Sequence, residues 1–206
     1  MQRIVGAILL ATGGVLAAIG IFVQFGVYAN MDTFNAAMGA ALRIVGVLGI
    51  VASVIFVVGC ALLAAAYGPA GLFSGSRLPT VGFIVLGVVY AVTQVFFRVA
   101  PYFYTADSAE YAFQINRAIN VLVIAAIVFA AIAMLVRGGV SGLARVALFV
   151  PALLLVVIQF PISLPYPGVL LPPAVFQLTW LIVGIAYLLA RPRGPRVTEP
   201  AETLAE

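Results

Sequence analysis

Histidine and lysine are both absent from the 206 residues, so the ten basic residues are all arginine, and cysteine occurs once. Each absence removes chemistry. Without histidine there is no His-ligated haem, no ordinary zinc site and no Ser-His or Cys-His nucleophile dyad. Without lysine there is no retinal-type Schiff base and no Walker phosphate loop. Cys60 has no partner for an intrachain disulfide, and its place inside an apolar run makes it a small packing residue. The acidic residues, Asp32, Asp107, Glu110, Glu199, Glu202 and Glu206, all fall outside the long apolar runs. That leaves no carboxylate pair for acid/base work and no membrane-embedded carboxylate of the kind that carries protons or cations. The sequence predicts a protein that is not an enzyme and holds neither cofactor nor metal.

What is present is hydrocarbon. The chain is 65% hydrophobic and 8% charged, with a mean hydropathy of +1.25, and a soluble globule of this size would have too little polar surface to stay dissolved. The apolar runs match the roughly 20 residues that carry a helix across about 30 Å of lipid. They lack the alternation of a membrane β-barrel. The expected fold is all-α: a polytopic bundle of six transmembrane helices in one domain, with spans at about 4–28, 43–67, 79–103, 118–136, 144–163 and 171–190. The first run, although preceded by Arg3, is too long for the apolar core of a secretory signal and is expected to remain as a span.

Arginine gives the orientation. Arg3, Arg77, Arg137, Arg145, Arg191, Arg193 and Arg196 fall on one side of the expected spans, and Arg43 and Arg117 share the other side with Asp32, Asp107 and Glu110. By the positive-inside rule both termini are cytoplasmic. The basic balance is then a topology signal and not a nucleic-acid footprint, since no basic patch is interleaved with aromatics on a soluble face. Residues 191–206, with Pro192, Pro195 and Pro200 and no apolar period, are expected to be a disordered cytoplasmic tail. Abundant Ala, Val, Gly and Arg without lysine has the look of GC-rich coding, which points to a bacterium and to its cytoplasmic membrane.

Local signals refine the elements. Asp107-Ser108-Ala109-Glu110 fits a capping box and starts the fourth helix near Ser108, giving it about 29 residues, more than a crossing needs. Asp32 is a candidate cap for the second helix. Pro151 and Pro161 inside the fifth span would free the carbonyls of Ala147 and Val157. Pro161, Pro165, Pro167, Pro172 and Pro173 make the connection to the sixth span stiff and uncharged, a rigid connector or a partial lid. Pairs such as Gly13/Ala17 and Gly14/Ala18 allow close helix packing, although so much Gly and Ala produces them by chance. Tyr102, Phe103, Tyr104, Tyr111 and Phe113 read as an interfacial aromatic belt, with stacking on a ligand as the sharper alternative.

The polar residues within the spans are the candidate site. Tyr90, Gln94 and Arg98 recur every four residues on one helical face. Gln94 and Arg98 share one depth with Gln24, Asn120, Gln159 and Gln177, toward the side opposite the arginine-rich one. In an apolar solvent each side chain needs a hydrogen-bonding partner, so the expectation is an outward-facing polar pocket for a small molecule or lipid. Arg98 would meet the carboxylate, phosphate or headgroup of an anionic ligand, and the amides would orient it. The alternative reading is interhelical glue in an accessory subunit that stabilises a partner membrane protein.

Overall fold

The computed structural model describes residues 1–30, 36–67, 76–99, 109–137, 139–158 and 171–192. Among these residues six α-helices follow one another: α1 (Gln2–Ala29), α2 (Ala36–Tyr67), α3 (Arg77–Val99), α4 (Ala109–Arg137), α5 (Phe149–Ile158) and α6 (Leu171–Leu188). Five of them are long and apolar enough to cross a membrane, which makes this a multi-pass, helical membrane protein. The exception is α5. The expected fifth span, 144–163, is helical only from Phe149, after a 3-10 turn at Gly142–Arg145, and residues beyond Ile158 lie outside the described set. The ten described residues of α5 cover about 15 Å, half the hydrocarbon thickness.

That start also changes the role of Pro151. It stands in the first turn of α5, where a missing N–H costs nothing, and the Ala147 carbonyl, expected to be freed, accepts from Val150 N at 3.2 Å. Pro79 and the pair Pro172 and Pro173 occupy the first turns of α3 and α6 for the same reason. At α3 the start is fixed by Ser76, whose hydroxyl accepts from Leu78 N at 3.3 Å. The expected caps at Asp32, Asp107 and Ser108, the proline-rich connection through 170 and the aromatics 102–104 lie outside the described residues.

The helices close into a ring. Each packs on the next, and α1 returns to α6. Glycine sets the tightest seams: Gly6 and Gly59 bring α1 against α2, Gly14 and Gly184 bring α1 against α6, and Gly82 brings α3 against the Ala130 backbone of α4. Because lipid is as apolar as these side chains, close van der Waals packing is what drives helices together here.

Aromatic rings fill the interior in two layers, each taking one residue from α2, α3 and α6. In the first, Tyr67, Phe83 and Tyr187 lie with ring centroids 5.7 to 6.0 Å apart. In the second, Phe56 stacks on Tyr90 at 4.0 Å and meets Trp180 edge-on at 4.7 Å. Leu63, Leu86 and Val183 are buried in the same core.

The arginine-rich end is tied by a two-residue antiparallel ladder, β1 (Val140–Ser141) with β2 (Arg191–Pro192). Gly139 and Gly142, with φ of 60° and 71°, turn the chain on either side of β1. Arg3 donates to the Ala190 carbonyl, so the start of α1 and the segment after α6 meet at this end. Arg191 and Pro192, placed by sequence in a disordered tail, are therefore paired, and residues 193–206 are outside the described set.

Candidate functional site

Tyr90 and Gln177 are brought together. Both are buried, one on α3 and one on α6, and the Tyr90 hydroxyl donates to Gln177 Oε1 at 3.4 Å across the ring. Tyr90 is held from the other side by its stack on Phe56. This pair joins two helices that are not ring neighbours.

One turn further along α3 the environment changes. Gln94 is half-buried and lines a groove of about 320 Å3 between α2 and α3, together with Ile50, Ser53, Val54, Val57, Val58 and Ala91. Seventeen residues separate it from Arg77 in sequence, about 26 Å along the axis, so it lies near the end opposite the arginine-rich one. No hydrogen bond to Gln94 is formed among the described residues. Its shorter polar neighbours satisfy themselves: Ser53 donates to the Gly49 carbonyl at 2.6 Å and Thr93 to the Val89 carbonyl at 2.7 Å. Thr179 does the same with Phe176 at 2.6 Å. The Gln94 amide is therefore the polar group in this groove with bonding capacity left over.

Arg98 continues the helix four residues beyond Gln94, and its side chain is outside the described set. Gln24, on α1, donates from Nε2 to the Tyr28 hydroxyl of its own helix at 3.4 Å. Asn120 is half-buried on α4, whose ring neighbours are α3 and α5. Gln159 lies outside the described residues. Of the expected set, then, Tyr90 and Gln177 meet in the interior, Gln94 faces a lateral groove, and Gln24 bonds along its own helix.

Sequence reasoning did not find the aromatic layers or the α2 wall of the groove. Phe56, Cys60, Leu63 and Tyr67 recur at helical spacing, but the lipid-facing residues between them are equally apolar, so the pattern carries no contrast. At the level of the Tyr90–Gln177 pair the interior is occupied by Phe56, Phe176 and Trp180. The indole Nε1 of Trp180 is buried at this level, and the hydroxyl of Tyr187 in the other aromatic layer, each without a hydrogen-bond partner among the described residues. No group of three or more His, Cys, Asp or Glu is assembled among those residues.

Compared with known proteins, the chain matches no family model, no curated protein and no solved structure.

Proposed function

We propose that this chain is a non-enzymatic bacterial membrane protein that binds, as a receptor or carrier, a small amphipathic molecule or lipid. The ligand enters from the side, between α2 and α3, in the half of the bundle away from the arginine-rich, cytoplasmic end. The observation that carries this reading is Gln94: a primary amide, with no hydrogen bond among the described residues, in a groove whose other lining is aliphatic except for Ser53, whose hydroxyl already donates to its own helix. An amide left so in hydrocarbon costs free energy, and a ligand carbonyl or hydroxyl recovers it. Arg98, one turn outward, supplies positive charge for a carboxylate, phosphate or headgroup at the membrane boundary. Tyr90 and Gln177 then act from behind, fixing α3 to α6 so that the groove keeps its shape.

Native mass spectrometry of the purified protein tests this. The wild type is expected to retain a single small-molecule or lipid species, Gln94→Leu to lose it about tenfold with unchanged melting, and Arg98→Ala to lose it only if the ligand is anionic. Retention that ignores Gln94→Leu contradicts the proposal.

A second reading, an accessory subunit of a larger membrane complex, is favoured by the aliphatic ridge that α2 exposes through Ile44, Val47, Val51, Val54 and Val58. A membrane protein co-purifying in fixed ratio, insensitive to Gln94→Leu, would support it.

A further inference from the structure

We infer that the opposite end of the bundle carries a second site, for an anionic phospholipid, between α5 and α6. A groove of about 450 Å3 runs there along Val146, Val150, Ile182 and Ile185 and ends at Leu189 and Arg191. Its volume falls within the range of small-molecule pockets, and its walls are aliphatic, as an acyl chain requires.

Charge decides what covers it. The arginine-rich end presents Arg3, Arg77, Arg137, Arg145 and Arg191, and among the described residues no Asp or Glu stands there. Arg3, Arg77, Arg137 and Arg191 lie at the ends of four different helices, which sets the headgroup level of the bilayer. At that same level Leu143 and Leu189 are 76% and 73% exposed on either side of the groove mouth. Large aliphatic side chains beside exposed arginine fit a phospholipid, whose chain meets the leucines while its phosphate meets the guanidinium. Basic sites between helices on the cytoplasmic side recognise acidic lipids in this way.

The backbone that carries the arginine is also held in place. Residues 190–192 are held from both sides, by Arg3 on the Ala190 carbonyl and by the β1–β2 ladder through Ser141. A guanidinium has five donors, so a phosphate adds to the contacts Arg191 already makes. The wall facing α6 is built by the 3-10 turn and the residues that lead into α5, among them Leu143, Ala144, Val146 and Ala147.

The test uses the full chain reconstituted in bilayers of phosphatidylcholine and phosphatidylglycerol in equal proportion, extracted gently and weighed by native mass spectrometry. Wild type is expected to retain phosphatidylglycerol preferentially. Arg191→Gln should lower that retention about fivefold, the weight of one arginine at an anionic surface, without altering phosphatidylcholine. Val146→Trp, which fills the groove and leaves the arginine in place, should lower it as well. Equal retention of the two lipids, or phosphatidylglycerol retention unmoved by Arg191→Gln, overturns the site. Loss on Gln94→Leu with no loss on Arg191→Gln places the lipid in the α2–α3 groove and overturns it too.

Discussion

At Gly14 the first and sixth helices come so close that a Cβ would stand 2.6 Å from the Trp180 Cβ and 2.7 Å from the Gln177 carbonyl oxygen. Backbone cannot step aside as a flexible side chain can, so Gly14→Ala is expected to cost about 1 to 3 kcal/mol, the usual range for overpacking. Gly26, on the same helix, has open space where its Cβ would be. Gly26→Ala should be neutral or stabilising by about 0.5 to 1 kcal/mol, since alanine is the better helix former. Unfolding of the two variants in mixed micelles checks the contrast. Gly14 and Gly13 were visible in the sequence as small-residue positions, but nothing there separates them from Gly26, because the difference lies on α6 and α2: at Gly13 the close atoms are the Ala52 carbonyl and the Phe56 amide. The same limit applies to Gln94. Its spacing from Tyr90 was legible, whereas the turn that sends one side chain inward and the next to a lateral groove depends on where α2 stands.

Among the elements, the long helices were legible because twenty apolar residues in a row leave the chain no other way to satisfy its backbone in lipid. The expected spans 4–28 and 43–67 fall within α1 and α2, α6 ends at Leu188 and not 190, and the described part of α4 runs from Ala109 to Arg137. The expected third span continues past the described end of α3. The start of span five was not legible. A run of apolar residues from 144 looks helical throughout, but Gly139 and Gly142 at positive φ turn the chain and feed a 3-10 segment before α5 begins. The β1–β2 pairing is two residues long, too short for any alternation to announce it. At Gly142 a Cβ meets nothing within 4 Å, so the cost of Gly142→Ala is purely that of φ at +71°. About 1 to 2 kcal/mol is expected in mixed-micelle unfolding, and Gly142→Asn, which tolerates this region, should recover part of it.

For the whole molecule, the closed ring places the start of α1 beside the segment that follows α6. If that arginine-rich end is cytoplasmic, as the positive-inside rule proposes, then in a Cys60→Ala background Ala29→Cys reacts with an impermeant maleimide in intact cells, and Gln2→Cys reacts only after lysis. The aromatic layers that pack the ring turn attention from its axis to its flanks, and the account rests on the α2–α3 flank holding one chosen ligand. The most direct measurement places a photo-crosslinking residue at Val57, inside that groove, and at Ile132, on the exposed face of α4, and weighs the adducts formed in the native membrane. The account predicts one species enriched at Val57 and the bulk lipid mixture at Ile132. The same lipid mixture at both positions, or a protein adduct at Val57, would contradict it.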